Sequence, residues 1–219
     1  NLPSDFVKVI NLVKELSGNL IISGIGKSGH IGRKISATLS STGTPSYFVH
    51  ATEASHGDLG SISSKDACLL ISNSGETLEL EDLVTHTRRH AIPLIGISSR
   101  PESTLMQNAD FKLHLPKVKE ACPIGLAPTT STTMVLALGD AIAVTLMRER
   151  KFKTENFKTL HPGGKLGAQV TQVQQIMHTG KLLPIVKNLT PMSDTLIEMT
   201  SKGFGIAIVV EANLLKGVI

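Results

Sequence analysis

The sequence predicts an α/β protein with a doubly wound, five-stranded parallel sheet of the flavodoxin or Rossmann type. Three observations predict this fold: short apolar runs recur five times, helical patterns separate them, and glycine- or serine-rich turns follow several of them. Such alternation is typical of parallel sheets with right-handed helical crossovers. We therefore expect helices on both faces of one sheet.

Each element has a signal of its own. The first helix, at residues 4–16, has apolar residues at helical spacing and stops at Gly18. The apolar runs predict strands at 19–23, 46–50, 67–72, 93–98 and 111–115. Between and after them we expect helices at 28–41, 78–90, 103–108 and 129–147. Beyond about Gln172 the pattern changes to a small separate unit, which we expect to bury its own apolar face poorly.

Composition excludes several classes of function. With 219 residues and 41% hydrophobic content, the chain can bury one substantial core. A net charge of +4 suits a phosphorylated metabolite, whereas 3% aromatic residues and no Trp disfavour a nucleic-acid partner. The helix at 129–147 approaches membrane-spanning length, but Gly139 and Asp140 favour a buried helix, so we expect no membrane association. Cys68 and Cys122 fit neither a disulfide framework nor a metal spacing, which favours a cytoplasmic protein.

The most informative segment is the turn after the third strand, Ser72-Asn73-Ser74-Gly75-Glu76-Thr77. Hydroxyls and a glycine between a strand and a helix can cradle a phosphate, although an ordinary helix-capping turn has the same composition. Turns at 24–29, 50–57, 72–77 and 98–100 all follow strands. Since ligands bind beyond the carboxyl ends of parallel strands, we expect these turns to face one crevice.

Six motifs carry a family resemblance. Gly24-Ile25-Gly26-Lys27-Ser28-Gly29-His30, the octapeptide at 53–60 (EASHGDLG) and the turn at 71–77 resemble the sugar isomerase (SIS) domain family. The segments at 119–123 (KEACP), 126–131 (LAPTTS) and 161–164 (HPGG) resemble, more narrowly, the D-arabinose 5-phosphate isomerases. The resemblance divides the chain into a SIS domain at 1–172 and a segment at 173–219 similar to part of a CBS domain.

The resemblance implies interconversion of D-ribulose 5-phosphate and D-arabinose 5-phosphate through an enediolate, the first step toward the Kdo sugar of lipopolysaccharide. It also implies a homotetramer and no required cofactor. Moving the carbonyl needs a base and a cation near the developing negative charge. By spacing, Glu76 and Glu79 share one helix face beside the cradle, where acidic residues also simply complement the helix dipole. The resemblance favours Glu79 as the catalytic residue. Glu76 is expected only to complement the helix dipole.

The resemblance assigns the remaining site residues. Lys27, otherwise an exposed lysine on a turn, becomes the cation, Glu120 a second acid or base, and His161 a catalytic group from this chain or a neighbouring subunit. Substrate contacts are expected from Gly43, Thr44, His56, Ser72, Ser74 and Thr77. His50 matches a position where relatives hold a zinc ion, but no complete ligand set is visible and we expect no metal requirement.

Ala51-Thr52 replaces the Pro-Gly of many relatives. We expect altered stiffness in that loop and intact neighbouring sites.

Two other functions share these features. A phosphosugar-sensing regulator without enzymatic activity uses the same domain type, usually behind an N-terminal helix-turn-helix. An isomerase or aminotransferring enzyme acting on a hexose 6-phosphate shares the cradle but not the KEACP loop.

Overall fold

The computed structural model describes residues 2–161 and 172–219. The chain divides into two compact units, Asn1–Ala168 and Gln169–Ile219, which are described separately below.

The first unit contains the predicted parallel sheet. Its strands in chain order are β1 (Leu20–Gly24), β2 (Ser46–Phe48), β3 (Ala67–Ile71), β4 (Leu94–Ser98) and β5 (Phe111–His114). They lie in the order β2-β1-β3-β4-β5, and every neighbouring pair is parallel. The chain leaves β1 toward one edge and returns to its other side at β3. Ligands bind at such a reversal of strand order, so the fold places a site at the carboxyl ends of β1 and β3.

Helices cover both faces of this sheet. They are α1 (Phe6–Glu15), α2 (Gly26–Ser41), α3 (Ala51–Ser55), α4 (Glu81–Arg89), α5 (Thr104–Asn108), α6 (Thr130–Glu149) and α7 (Thr154–Leu160). Apolar side chains of α1, α2 and α6 form one buried cluster with the sheet, and α3, α4 and α5 contribute to a second cluster. The doubly wound α/β class predicted from the sequence is therefore confirmed.

Helix α6 is the predicted long apolar helix. Among the described residues it is the one helix long and apolar enough to cross a membrane by length and composition alone. Here Leu138, Ile142 and Leu146 are buried in the core. A Cβ at Gly139 would lie 2.4 Å from Cγ1 of Ile35, so the glycine lets α6 approach α2 closely. The sequence predicts a buried or interface helix, and the structure shows a helix with one face buried in the core, while Val144 is 62% exposed.

The sequence misplaced several short elements. Residue 50 was expected to end a strand, but His50 instead precedes α3, which occupies the segment expected to be a loop around Ala51 and Thr52. Residues 78–80 form a 3₁₀ turn before α4 rather than the start of an α-helix. Helix α7 was not predicted. Elements of one or two turns show no measurable periodicity, so neighbouring packing decides them.

The second unit has a three-stranded sheet. Its elements are α8 (Val173–Ile176), β6 (Ile185–Val186), α9 (Met192–Lys202), β7 (Ile208–Glu211) and β8 (Leu214–Val218). β6 and β7 are parallel, whereas β7 and β8 are antiparallel. Val186 and Ala207 are buried, but Leu189 is 90% exposed and many other apolar side chains are exposed. The apolar face of this unit is thus largely open, and its similarity to a CBS domain stays a prediction.

Candidate functional site

The strand register brings two turns together. Gly24 at the end of β1 pairs with Ile71 at the end of β3, so the residues that follow each strand leave the sheet side by side. The turn after β3 contains the predicted cradle, and the turn after β1 begins α2 with Lys27 in its first turn. Both predicted features therefore lie at one edge, which we call the carboxyl edge.

The turn after β3 is closed by its own hydroxyls. Ser72 is 3% exposed, its Oγ accepts a hydrogen bond from the N–H of Gly75 at 2.9 Å, and it lies 2.7 Å from Oγ1 of Thr77. Oγ of Ser74 accepts from the N–H of Glu76 at 3.2 Å. Gly75 has φ +70°, and a Cβ there would lie 2.0 Å from Oγ of Ser103. The turn consequently requires glycine and holds its three hydroxyls in a compact group suited to an oxyanion.

The start of α2 is electropositive. No side chain caps this helix at Ile25, and its first turn contains no acidic residue. Lys27 is exposed there, where a cation opposes the helix dipole, and it makes no ion pair within the described residues. An uncapped helix start with an unpaired lysine costs stability in isolation and attracts an anionic ligand.

The two glutamates of the adjoining turn differ in their surroundings. Glu76 lies before the 3₁₀ turn, and its carboxylate accepts from the N–H (3.0 Å) and Oγ1 (2.7 Å) of Thr104 at the start of α5. These hydrogen bonds, with a smaller contribution from the charge of Arg100, lower the pKa of Glu76. The expectation that Glu76 shares a helix face with Glu79 is therefore wrong. Glu79 is exposed in the 3₁₀ turn, with no side-chain partner among the described residues.

Glu120 is held as a helix cap. It lies between β5 and α6, and its Oε2 accepts from the N–H groups of Thr129 (2.7 Å) and Ser131 (3.3 Å). The hydroxyls of both residues also donate to the carboxylate. The hydrogen bonds, led by the Ser131 hydroxyl and the Thr129 N–H, lower the pKa of Glu120 to about 2. In this arrangement Glu120 stays ionised near neutral pH, which suits a positioning charge better than the predicted second acid or base.

A cleft of about 190 Å³ separates the turn after β3 from the loop that contains Glu120. Asn73, Ser74 and Glu120 are among the residues that line it. Three cationic residues also line it: Arg100, Lys117 and Lys119. Sequence reasoning gave none of these three a role, although Arg100 follows a strand at the carboxyl edge, which is the signal that could have identified it.

The two predicted histidines after β2 lie around α3, also at the carboxyl edge. Nδ1 of His50 accepts from the N–H of Thr52 at 3.3 Å and caps the helix, while His56 is exposed at its other end. The described residues contain no group of three or more His, Cys, Asp or Glu side chains that could hold a metal ion. The described residues therefore do not offer His50 the further ligands that zinc takes in proteins.

Three predicted residues lie at the opposite edge. Gly43 and Thr44 precede β2, and the 20-residue helix α6 carries the chain back from Glu120 toward α7 and His161. Gly43 has φ +89° and packs on Phe152, while the ring of His161 stacks on Phe157 at 3.8 Å. Five-residue strands put this amino edge about 16 Å from the carboxyl edge. Thr44 is only 2% exposed, and a substrate contact from Gly43 or Thr44 stays a prediction.

The predicted turn Pro162-Gly163-Gly164 lies outside the described residues.

Comparison with known proteins agrees with this architecture. A family model described as the SIS domain matches residues 16–145, and the chain belongs to this family. Among solved structures, an Escherichia coli CFT073 protein in complex with arabinose 5-phosphate is 42% identical, with a TM-score of 0.71 over 73% of this chain and 85% of that protein.

The chain is also similar to curated enzymes. The arabinose 5-phosphate isomerase KdsD of Escherichia coli K12 is 48% identical over 199 residues, covering 90% of this chain and 61% of that enzyme. The enzyme of the same name from Pseudomonas aeruginosa is 47% identical over 208 residues, covering 94% and 64% respectively. The chain thus spans less than two thirds of these enzymes. The sugar isomerase domain of an RpiR transcription factor from Sphaerobacter thermophilus, 13% identical with a TM-score of 0.59, shares the fold alone.

Proposed function

We propose that this protein is an aldose-ketose isomerase that interconverts D-ribulose 5-phosphate and D-arabinose 5-phosphate. The observation that carries the proposal is that two turns lie side by side where the strand order reverses. One is the serine- and threonine-containing turn at Ser72–Thr77, and the other leads into α2 with Lys27. Relatives at 47% and 48% identity that are named arabinose 5-phosphate isomerases favour this reading over a sensing regulator. The substrate class is a pentose phosphate, and the product fits the first step of Kdo synthesis for lipopolysaccharide in the cytoplasm.

The chemistry follows from the residues at the carboxyl edge. The hydroxyls of Ser74 and Thr77 hold the phosphate, and the buried hydroxyl of Ser72 shapes the turn beneath them. Glu79, which no neighbouring donor among the described residues occupies, takes a proton from C1 of the ketose and returns it to C2, while a second proton moves between the two oxygens. Lys27 stabilises the enediolate charge that develops between these transfers. Glu120 remains ionised and fixes the loop that closes the cleft.

The predicted site residues at the amino edge can take part in catalysis only at the site of a second copy of the chain. Gly43, Thr44 and His161 cannot reach the cradle of their own subunit across about 16 Å of sheet. In a homotetramer, the amino edge of one subunit faces the carboxyl edge of another and supplies His161 to its site. We propose no metal requirement, and zinc at His50 would need donors from outside the single chain.

The test is a product assay. The protein is incubated with ribulose 5-phosphate and a chelator, and the sugar formed is identified by NMR. Formation of arabinose 5-phosphate supports the proposal. Tight binding of ribulose 5-phosphate without any product would favour the sensing regulator, and turnover of a hexose 6-phosphate in its place would favour the related hexose enzymes.

A further inference from the structure

The turn after β4 is fastened to the turn after β3. The carbonyl oxygen of Asn73 accepts three hydrogen bonds from it: from Oγ of Ser98 at 3.1 Å, from the N–H of Ser99 at 3.1 Å and from Oγ of Ser99 at 2.8 Å. The N–H of Leu105 also donates to the carbonyl of Gly75 at 3.0 Å. The two turns therefore form one rigid unit, so a side chain on the second has a fixed relation to the cradle on the first.

Arg100 is anchored within this unit by its own backbone. Its N–H donates to Oγ of Ser98 at 3.1 Å, and its carbonyl accepts from the N–H (3.2 Å) and Oγ (2.8 Å) of Ser103. Arg100 is among the residues that line the cleft of about 190 Å³, together with Ser74 and Glu120. The structure thus fixes the backbone of Arg100 at the wall of this cleft, and the residue is exposed.

The guanidinium of Arg100 has no close partner in the part of the chain that the structure describes. Arg88 pairs with Asp110, Arg33 lies over the ring of Phe48, and Arg150 donates to the carbonyl of Val13. Arg100 forms neither an ion pair nor a side-chain hydrogen bond within residues 2–161 and 172–219.

Two carboxylates near Arg100 are already engaged by other donors. The oxygens of Glu120 accept from Thr129 and Ser131, and those of Glu76 accept from Thr104. Arg100 acts on Glu76 only through its charge, which is the smallest of the influences on the pKa of that carboxyl. The backbone of Arg100 is held in place, and no anion among the described residues binds its guanidinium. The guanidinium is therefore available to an anion that arrives with the ligand.

We infer that Arg100 binds the phosphate group of the substrate, in addition to the hydroxyls of the turn after β3. The inference rests on the proposed function for the identity of the substrate. A guanidinium presents two parallel N–H donors that match two phosphate oxygens, which an ammonium group cannot do. Arg100 and Ser74 then bind one dianion from two sides, and the carbons of the sugar extend toward Glu79 and Lys27.

The experiment compares Arg100→Ala and Arg100→Lys with the wild-type protein. For Arg100→Ala we expect a KM for ribulose 5-phosphate raised roughly 10- to 100-fold with kcat nearly unchanged, because the lost contact is a charge-assisted hydrogen bond present in ground and transition states alike. The KM of the Arg100→Lys protein should lie between those of the Arg100→Ala and wild-type proteins. Arg89→Ala is the matched control: it removes the same charge from the exposed far end of α4, and its KM should not change.

Inorganic phosphate provides a second readout that does not depend on the reaction. Calorimetry should show weaker phosphate binding to Arg100→Ala than to wild type, with circular dichroism confirming that the variant is folded. Unchanged phosphate affinity, or a loss confined to kcat, would overturn the inference. If the wild-type protein binds phosphate through Arg100 but forms no arabinose 5-phosphate, the inference stands and the proposed function fails.

Discussion

Three glutamates near the carboxyl edge differ in what surrounds their carboxylates. Glu76 accepts hydrogen bonds from Thr104, and Glu120 accepts them from Thr129 and Ser131. Glu79 has no such partner among the described residues. A carboxylate that accepts several hydrogen bonds resists protonation. The geometry thus marks Glu76 and Glu120 as structural carboxylates, and the proposed mechanism assigns the base to Glu79.

Replacing Glu79 with Gln tests this distinction. We expect turnover to fall roughly 10²- to 10⁴-fold, because the amide cannot accept the substrate proton, while the fold is retained. Steady-state kinetics with ribulose 5-phosphate measures the effect, and Glu81→Gln, two residues further along, is the control. Near-normal turnover of the Glu79→Gln protein would remove this residue from the mechanism.

Ser74→Ala tests the cradle. The hydroxyl lines the cleft and accepts one hydrogen bond from the turn, so its loss should weaken phosphate binding without altering the proton transfer. We predict a raised KM with a much smaller change in kcat. A change in kcat alone would contradict the assignment of this turn to the phosphate.

At the scale of the elements, helix ends dominate the site. Helix α2 begins without a side-chain cap among the described residues. At the start of α5 the N–H of Thr104 donates to Glu76, and at the start of α6 the N–H of Thr129 donates to Glu120. Helix starts carry partial positive charge, so two of them are neutralised by carboxylates of this chain. The start of α2 has no such carboxylate among the described residues and is left for the ligand.

The cap on α6 should make stability depend on pH. Because the folded pKa of Glu120 is about 2 and its ordinary value is 4.5, the ionised cap stabilises the fold above about pH 4.5. That stabilisation is lost as the pH falls through about 2. We therefore expect Glu120→Gln to lower Tm at neutral pH and the difference from wild type to shrink between those two pH values.

Thermal melts across this range measure the difference. Glu102→Gln, whose carboxylate has no hydrogen-bond partner among the described residues, serves as the control and should follow the wild-type protein. A pH-independent difference in Tm for Glu120→Gln would show that Glu120 acts through packing rather than charge.

At the scale of the whole molecule, the two edges of the sheet divide the predicted site. Lys27, Glu79 and the cradle lie at the carboxyl edge, and His161 lies with Gly43 at the amino edge. The strands are too long for residues at the two edges to contact each other within one chain. A site that uses both sets is therefore a property of an assembly.

Mixing two inactive variants tests this arrangement. Lys27→Ala and His161→Ala should each abolish most activity alone, because every site in a uniform assembly lacks one group. Refolded together, they should recover activity, since some sites receive an intact Lys27 from one subunit and an intact His161 from another. Mixed assemblies, confirmed by native mass spectrometry, that remain inactive would contradict a shared site.

The doubly wound sheet, the hydroxyl-containing turn after its third strand and a long helix packed on the core could all be predicted from the sequence alone. Apolar periodicity and turn composition are local properties, because they depend only on neighbouring residues in the sequence, such as those around Leu138 and Ser72. Glu120 and Glu76 show the limit of that reasoning, since their partners Ser131 and Thr104 are 11 and 28 residues away. Only packing between distant segments shows which carboxylates accept hydrogen bonds, that Arg100 and Glu120 line one cleft and that His161 lies at the amino edge, because each of these facts joins residues far apart in the chain.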